Sequence, residues 1–544
     1  MTRRARTSEL MWPRLFRRFE GGSRTLQGQL RDMLVHSVME GFLSPGEALP
    51  SSRQLAHHLG ISRTTVTLAL QALADKGLIT SRTRSGFYVS DQLQGTYLGA
   101  RQRAQAAPAM SPPGRPKGES LNAKHEGTPV SPPGRPKGEY RKAQPEGTPA
   151  SPLRWAERLK LKPSAQRNIV KPSNWQQQPY PFIYGQFDAT LFPSSDWREC
   201  VLESLQARAL RRWAPDHIDR DDDSLIEQIQ RRLLPARGIW VERNEILVTT
   251  GAQQATFMLA TLLVGATTVV GIENPGYPDA RNNFLLRTRH VRALRVDEQG
   301  LVLGAKLSGC EYIYVTPSHQ CPTTVTMPLQ RRLELLARAE RDDFIVIEDD
   351  HESELNFSGQ PTPALKSLDT QSRVLYLGSL SKTLAHGLRL GYVVAPVELI
   401  RELRALRRLV MRHVPTNNQL VAASFIAHGH QEAFVRRLNI AYRERAERLR
   451  TALARHAPAL RPEAAQGGSA LWVSAPKGTD TRELTARLYL QGVVVEPGDV
   501  FFGGARQPRH HLRIGYSSIP AERIEAGVSL IARELAGLRK AGAL

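Results

Sequence analysis

The sequence predicts a multidomain chain with a mainly helical head, a disordered linker and an α/β body. Three observations lead to this prediction. The 544 residues exceed the length at which a single hydrophobic core stops growing. A tandem repeat rich in proline, glycine and lysine interrupts the chain, and short apolar runs alternate with helical stretches after it. We therefore expect a head at 1–91, a linker at 92–175 and a body at 176–544.

Composition excludes several protein classes. Hydrophobic residues make up 41% of the chain, which is too many for a wholly disordered protein. No apolar run reaches the length of a spanning helix, and arginines interrupt the N-terminal segment, so neither a membrane span nor a signal peptide is predicted. Cys200, Cys310 and Cys321 form no C-x-x-C pair, which argues against a disulfide framework or a cysteine-rich zinc site. We expect a metal-free protein of the reducing cytoplasm.

The positive charge is concentrated in the first third of the chain. The formal net charge is +22 at pH 7. Residues 1–90 contain 13 basic and 6 acidic side chains and residues 91–170 contain 14 and 6, whereas residues 171–544 contain 47 and 40. A concentrated basic segment in a chain without membrane spans indicates a polyanionic partner, with nucleic acid as the leading candidate.

The linker contains two copies of a 20-residue sequence, MSPPGRPKGESLNAKHEGTP at 110–129 and VSPPGRPKGEYRKAQPEGTP at 130–149. It has too few large apolar residues to bury a core, so an extended linker is expected. The repeated Gly-Arg-Pro resembles the centre of an AT-hook, which inserts arginine into the minor groove, but the basic residue that precedes it there is missing. A plain spacer is the favoured interpretation, and an auxiliary DNA contact is the alternative.

Residues 24–90 have the pattern of three helices and a hairpin. An apolar face marks the first helix, Ser51 or Ser52 can cap a second that ends at Gly60, and Ser62 opens a third. This order is typical of a helix-turn-helix unit, and LITSRTRSGFYV after it fits a two-stranded wing. The residues expected to contact DNA are Arg53, Arg63, Thr64, Thr65, Arg82 and Arg84.

Any small packing domain with amphipathic helices would have part of this pattern. The phrase LSPGEALPSSRQLAHHLGISRTTVTLALQALADKGLITSRTRSGFYV, however, closely resembles the winged helix-turn-helix of GntR-type regulators over nearly the whole head. The resemblance implies that the head binds a double-stranded DNA operator.

The body alternates β-branched runs with helical stretches. Continuous apolar runs indicate buried strands, and the helices between them favour a largely parallel sheet covered on both faces. The predicted strands are EILVTT (245–250), TTVVGIE (267–273), EYIYVTP (311–317), FIVIEDD (344–350), RVLYLGS (373–379) and YVVAP (392–396). Functional groups are expected where such strands end.

Two strand ends carry the candidate chemistry. LYLGS leads into a turn with Ser379, Ser381 and Lys382, and Arg389 follows seven residues after the lysine. Such a group can cradle a phosphate, or its amine can form a Schiff base with a carbonyl cofactor. Asp349 at the end of FIVIEDD needs a cationic or hydrogen-bonding partner, which a protonated pyridine nitrogen would supply. Pyridoxal 5′-phosphate (PLP) has an aldehyde, a phosphate and a pyridine nitrogen, which match the groups at these two strand ends.

The series TTGAQQA, IENPGYPDA, YVTPSHQCP, IEDDHESEL and LGSLSKTLAHGLRLGY looks like the fold-type-I aminotransferase domain of MocR-type regulators, which fuse it to a GntR-type head. By that resemblance Lys382 binds PLP as a Schiff base, Asp349 faces the pyridine nitrogen and Tyr277 stacks on the ring. The phosphate contacts implied are Gly251, Ala252, Gln253, Ser379, Ser381 and Arg389. Arg513 matches the arginine that holds the carboxylate of amino-acid substrates. Simple packing of Tyr277 and a structural ion pair of Arg513 are the alternatives.

The sequence departs from the family pattern at several positions. EDDHESEL replaces the related EDDYDSEF, so His351 stands where a tyrosine addresses the cofactor's phenolic oxygen, and an imidazole can also donate there. Cys321 stands where aminotransferases have asparagine, and Thr324 where glycine is usual. Cofactor binding remains expected, whereas full transamination, which needs an ordered proton relay, is less so.

The resemblance implies a transcriptional regulator that senses a small amine or amino acid through PLP on Lys382. A working aminotransferase with an attached DNA-binding head is the alternative. Fold-type-I sites are usually completed by a second subunit, so a homodimer that reads two half-sites is expected. Phrases such as PFIYGQFDATLFPSSDWREC are similar to ectoine- or taurine-utilisation regulators, which implies an ectoine-derived diamino acid or a sulfonated amine as the effector. Arg513 predicts an acidic end on the effector, and the aldehyde requires a primary amine.

Overall fold

The computed structural model describes residues 12, 16, 26–39, 43, 46–75, 79–82, 86–90, 155–186, 188–357, 363–464, 467–505 and 507–540. The chain forms two compact units, Met1–Pro145 and Glu146–Leu544. Arg84 and the repeats of the predicted linker lie outside the described residues. Within the described residues, every helix is too short or too polar to cross a membrane.

The first unit has the predicted three helices and hairpin. Its described elements are α1 (Leu26–Met39), α2 (Ser52–Leu59), α3 (Arg63–Asp75), β1 (Ile79–Arg82) and β2 (Gly86–Val89). Both α1 and α2 pack against α3, and Leu30, Leu55, Val66 and Leu70 are fully buried in one core. The antiparallel hairpin pairs Ile79 with Val89, so it forms the predicted wing.

Local capping determines the turn between α2 and α3. The Ser51 hydroxyl accepts a hydrogen bond from the backbone N–H of Gln54 at 3.3 Å, and Gln54 Oε1 accepts one from the backbone N–H of Ser51 at 3.0 Å. Gly60 ends α2 with a φ of 66°, a left-handed conformation that glycine adopts without strain. Ser62 Oγ accepts from the backbone N–H of Thr65 at 3.1 Å and caps α3. Of the two serines predicted as the α2 cap, Ser51 is the N-cap in the structure.

The second unit is an α/β domain. Its helices are α4 (Trp155–Arg158), α5 (Ser194–Ser204), α6 (Ala207–Trp213), α7 (Asp223–Gln228), α8 (Ala252–Leu263), α9 (Pro278–Leu285), α10 (Leu329–Arg341), α11 (Val397–Met411), α12 (Thr416–Ala427), α13 (His430–His456), α14 (Thr481–Leu490) and α15 (Ile524–Lys540). Its strands are β3 (Tyr180–Pro181), β4 (Ile246–Thr249), β5 (Val270–Asn274), β6 (Val291–Asp297), β7 (Gly300–Leu301), β8 (Tyr312–Val315), β9 (Ile345–Asp349), β10 (Val374–Ser379), β11 (Gly391–Val394), β12 (Arg461–Pro462), β13 (Ala470–Ser474), β14 (Val493–Val494), β15 (Glu496–Pro497) and β16 (His511–Gly515).

The central sheet of the described residues has the strand order β4-β11-β10-β9-β8-β5-β6-β7. Strands β10, β9, β8, β5 and β6 pair in parallel, while β11 is antiparallel to both its neighbours. Alternate residues of one strand enter different cores: Leu375 and Leu377 pack in one cluster, and Tyr376 packs in another. Both faces are therefore buried, which explains the continuous apolar runs.

A smaller antiparallel sheet near the C-terminus has the order β12-β13-β16-β15. It shares a core with α13, α14 and α15 that contains Phe434, Leu484, Tyr516 and Ile531. This sheet is not among the elements predicted from the sequence. Its strand β16 carries Arg513, which lies directly opposite Glu496 of β15.

The register of the central sheet aligns three strand ends. Asp349, the last residue of β9, pairs with Leu377 of β10. Ser379, the last residue of β10, pairs with Gly391, which in turn pairs with Thr249 at the end of β4. The end of β9, the turn after β10 and the start of α8 therefore meet at one edge of the sheet.

Candidate functional site

A cavity of about 560 Å³ lies at this edge of the sheet. Ten of the eleven residues predicted for the body's site line it, and the eleventh, Gly251, contacts one of the ten. The ten are Ala252, Gln253, Tyr277, Asp349, His351, Ser379, Ser381, Lys382, Arg389 and Arg513. The structure thus brings together residues from six separate segments of the sequence, while their individual roles remain predictions.

Lys382 lies on the turn that follows β10. Its Nζ is 4.1 Å from the centre of the Tyr184 ring and 3.7 Å from Glu352 Oε1. A Cβ atom added to Gly185, whose φ is 70°, would lie 2.9 Å from the same Nζ, so a side chain there would have to displace the amine. Burial lowers the pKa of Lys382, although Glu352 opposes the shift. A larger fraction of the amine is therefore neutral and able to attack a carbonyl.

Asp349 ends β9 with one oxygen satisfied and one free. Its Oδ2 accepts a short hydrogen bond from the Tyr314 hydroxyl, whereas its Oδ1 is buried and has no hydrogen-bond partner among the described residues. Burial raises the pKa of this carboxyl, and His351, whose Nδ1 is 3.9 Å from Oδ1, acts against that shift. A buried, unsatisfied carboxylate oxygen on a cavity wall fits a ligand N–H, such as that of a protonated pyridine.

The start of α8 can hold an anion. Gly251 is its N-cap with a φ of 86°, and no side chain of the described residues caps the helix, so the first backbone N–H groups are available to a ligand. Arg389 lies across this turn, since a Cβ on Gly251 would be 3.0 Å from its Nη2, which donates to Thr250 O at 3.3 Å. With Ser379 and Ser381 on the same wall, these groups suit a phosphate.

Tyr277 is nearly buried at the start of α9. Its hydroxyl lies 2.9 Å from Gln253 Oε1 and 3.0 Å from Asp279 Oδ2. The ring also packs against two of the apolar clusters. The predicted stacking role and the packing alternative are therefore both compatible with its position on the cavity wall.

Asp350, next to Asp349, anchors the end of β9 from the opposite face. Arg237 donates to it twice, from Nε at 2.7 Å and from Nη2 at 3.1 Å, and the hydroxyls of Ser318 and Tyr376 donate at 2.5 and 2.8 Å. Burial alone would raise the pKa of Asp350, but these donors, with Arg237 first, hold it at about 2. The sequence analysis did not include this network, because 113 residues separate its two charges.

Arg513 lines the cavity and also forms the ion pair that was its alternative interpretation. Its Nε donates to Glu496 Oε2 at 2.7 Å, and its guanidinium lies over the rings of Tyr184 and Phe501 at 4.0 and 4.5 Å. Its Nη2 is buried and has no hydrogen-bond partner among the described residues. Arg513 therefore keeps a donor for a ligand, although Glu496 already neutralises its charge.

Sequence reasoning missed several cavity residues. Lys171, Asn168 and Ile169 line the cavity although they fall inside the predicted linker at 92–175, and Tyr184 lies between the cations. The segment around them, KPSNWQQQPYP, is rich in proline and polar residues and has no periodic pattern. The similarity of the next phrase, PFIYGQF, to related regulators was the available signal that this stretch belongs to the body.

The positions that depart from the family pattern are well defined. Cys321 is buried on the cavity wall, and burial raises the pKa of its thiol to about 12, so it stays neutral. Thr324 has a φ of 64°, in the left-handed region, which explains why glycine is usual there. His351 lines the cavity, as predicted for a residue that faces the cofactor.

Five of the six predicted DNA-contacting residues are described, and they lie on the expected elements of the head. Arg53 on α2 and Arg63 and Thr64 at the start of α3 are exposed. The Thr65 hydroxyl instead lies 2.8 Å from Ser62 Oγ, within the cap of α3. Arg82 ends β1 of the wing.

Two family descriptions match the chain. Residues 26–89 match "Bacterial regulatory proteins, gntR family", and residues 189–531 match "Aminotransferase class I and II". The chain is 38% identical to the HTH-type transcriptional regulator TauR of Rhodobacter capsulatus, over 95% of this chain and 97% of that protein. The chain belongs to the MocR-type regulators of the GntR family. It is also 28% identical, over 95% of both chains, to the probable rhizopine catabolism regulatory protein MocR of Rhizobium meliloti.

Solved structures agree with this assignment for the body of the MocR-type chain. The α-aminoadipate aminotransferase LysN of Thermus thermophilus, complexed with N-(5′-phosphopyridoxyl)-L-leucine, is 28% identical, with a TM-score of 0.63 over 72% of this chain and all of that one. The kynurenine aminotransferase of Pyrococcus horikoshii is 25% identical, with a TM-score of 0.63 over 70% of this chain and 98% of that one. The protein is thus a DNA-binding transcriptional regulator with a fold-type-I aminotransferase domain, and the cofactor of that fold is PLP.

Proposed function

We propose that this regulator senses a small primary amine with an acidic group, and that PLP held at Lys382 is the sensor. The observation that carries the proposal is the convergence of Lys382, Asp349 and Arg389 on one cavity. The amine, the carboxylate and the cation correspond to the aldehyde, the ring nitrogen and the phosphate of the cofactor.

Each part of the cofactor has a matching group. The cofactor supplies an aldehyde that forms an imine with a primary amine, either that of Lys382 or that of an effector. Asp349 offers its unsatisfied Oδ1 to the pyridine N–H. The first N–H groups of α8, with Ser379 and Arg389, bind the phosphate.

The effector would act by freeing Lys382. Once released, the amine would take up the proton that the effector's ammonium group gives up, and it would form an ion pair with Glu352, whose Oε1 is 3.7 Å away. Glu352 is buried and has a φ of 61°, so its backbone is held in a strained conformation beside the cavity. The body then has two states, one with Lys382 bound to the cofactor and one with Lys382 charged beside Glu352, and these differ in energy. The difference between the effector's affinities for the two states determines how strongly it alters DNA binding.

The proposed effector is an ectoine-derived diamino acid or a sulfonated amine. Both classes offer the primary amine that an aldehyde requires and an acidic group that an arginine can bind. We further propose that the protein is a cytoplasmic homodimer whose paired heads read two half-sites of an operator.

The proposal is tested by the visible absorbance of the purified full-length protein beside its Lys382→Ala variant, both supplied with PLP. We expect the wild type alone to acquire a protein-bound cofactor band, and to change it when taurine or 2,4-diaminobutyrate is added. An identical spectrum for the two proteins would contradict the assignment of Lys382.

DNA binding and turnover are measured on the same samples. We expect the effector to change the affinity of the regulator for a DNA fragment taken from upstream of the regulator's gene. We also expect that no keto product is released over many hours. Sustained conversion of the amine in the presence of a keto acid, without an effect on DNA binding, would favour the aminotransferase alternative.

A further inference from the structure

Three cations surround one aromatic ring on the cavity wall. The Tyr184 ring centre lies 4.0 Å from the guanidinium carbon of Arg513, 4.1 Å from Lys382 Nζ and 5.9 Å from Lys171 Nζ. When the cofactor occupies Lys382, two of these charges, Arg513 and Lys171, remain to meet an acidic group on the effector. They are not equally free to do so.

Arg513 cannot supply the attraction by itself. Glu496 Oε2 accepts its Nε–H at 2.7 Å, both side chains are buried, and the pair as a whole has no net charge. Burying an anion against a neutral pair leaves the anion's charge uncompensated, which is unfavourable in a site of low dielectric constant. An additional cation is therefore needed.

Lys171 is placed to be that cation. Its Nζ is 3.9 Å from Glu496 Oε1, an oxygen that is buried and has no hydrogen-bond partner among the described residues. The same Nζ donates a short hydrogen bond to the backbone carbonyl of Tyr184. Lys171, Arg513 and Glu496 together carry one net positive charge, which matches one carboxylate or sulfonate.

The segment that carries Lys171 is fixed to the body. Arg167 donates to Asp499 Oδ2 at 2.6 Å, Gln166 Nε2 donates to the backbone of Asn282 at 3.1 Å, and Asn282 Nδ2 donates back to Arg167 O at 3.0 Å. The backbone at 166–168 is therefore held against α9 and the segment after β15, which positions Lys171 at the cavity.

We infer that Lys171 is an effector-binding residue, which supplies the charge that holds the effector's acidic group while Arg513 supplies directed N–H donors. This inference rests on the proposed function, since it assumes that an amine enters this cavity. It also means that a segment inside the range predicted as linker, 92–175, contacts the effector directly.

The test compares Lys171→Met and Lys171→Arg with Lys162→Met, a control on the exposed part of the same segment. Each PLP-loaded full-length protein is titrated with β-alanine, taurine and ethanolamine, and the cofactor band is followed. These probes carry a carboxylate, a sulfonate and an uncharged hydroxyl. Wild type and Lys162→Met should favour the two acidic probes over ethanolamine by roughly ten- to a hundredfold, as expected for a charged hydrogen bond.

Lys171→Met should lose most of this preference while its affinity for ethanolamine stays within about twofold, and Lys171→Arg should restore it. A preference for β-alanine alone or taurine alone would identify the acid that the site takes. Lys171→Met with an unchanged preference would overturn the inference and leave the proposed function intact. A wild type whose band responds to no amine would overturn both.

The pH dependence provides a second readout. Burial lowers the pKa of Lys171 to about 8, with Arg513 and Lys382 lowering it further and Glu496 and Glu352 raising it. The preference for acidic probes should therefore decline in wild type as the pH rises through about 8, and persist in Lys171→Arg, whose guanidinium stays charged. A parallel decline in both proteins would contradict the role of Lys171.

Discussion

Replacing Arg237 by methionine removes the charge that holds Asp350 and the end of β9. Removal of one partner of a buried ion pair lowers the free energy of unfolding by about 3–5 kcal/mol. The hydroxyls of Ser318 and Tyr376 would still donate to Asp350, so we expect a loss at the lower end of this range, about 3 kcal/mol. The lowered pKa of Asp350 agrees in direction, since Arg237 is the largest of the groups that oppose the effect of burial. Arg237→Met should therefore lower the free energy of unfolding of the body by about 3 kcal/mol.

The assay is urea unfolding of the full-length protein followed by tryptophan fluorescence. Six of the seven tryptophans lie in the second unit, so the signal reports mainly on the body. Arg243→Met is the control. Arg243 pairs with Asp223 at the surface, so the loss of this pair should lower the free energy of unfolding by less than about 1 kcal/mol. Equal midpoints for the two variants would show that the pair of Arg237 and Asp350 stabilises the body no more than a surface ion pair does.

The sign of the pH dependence separates this mechanism from a packing effect. In wild type the folded pKa of Asp350 lies below its unfolded value, so its contribution is present above pH 3.8 and is lost as the pH falls towards 2. Without Arg237, burial should raise the pKa of Asp350 above 3.8. The stability cost of Arg237→Met should then be smaller at about pH 5 than at about pH 7.5, whereas a packing defect would be independent of pH.

Three further substitutions test separate parts of the chain. Gly251→Ala forces a left-handed φ on a residue with Cβ and moves it against Arg389, so PLP affinity should fall on the order of tenfold by absorbance titration. Arg63→Ala should weaken binding to duplex DNA and reduce the slope of log affinity against log salt by about 1, measured by fluorescence anisotropy. Ser51→Ala breaks the capping box with Gln54 and should cost about 1 kcal/mol of head stability in thermal unfolding, with an unchanged midpoint contradicting the cap.

Local patterns predicted much of the fold. The head's capping serine and closing glycine act within a few residues of themselves, so the sequence alone identifies α2 and α3. The β-branched runs before Asp349 and Lys382 predicted buried strands, because side chains on both faces of such strands are covered. The residues at the ends of those strands line one cavity, because the carboxyl ends of parallel strands lie at the same edge of the sheet.

Contacts between distant segments could not be read in the same way. Glu496 lies on a strand of two residues, and no local pattern gives the register that places it opposite Arg513. Lys171 lies in a stretch whose composition is that of a linker, and its contact with Tyr184 depends on tertiary packing. The sequence therefore indicated a cation for the acidic group and an ion pair as its alternative, but it did not identify Glu496 as the partner.

The central claim is that PLP is held by Lys382. Borohydride reduction of the PLP-loaded protein followed by tryptic peptide mass analysis tests it directly, because a modified Lys382 is no longer a cleavage site. We predict a single peptide of residues 374–389 that carries the phosphopyridoxyl group, in place of separate peptides 374–382 and 383–389. An unmodified pair of peptides, or the group on another lysine, would contradict the account.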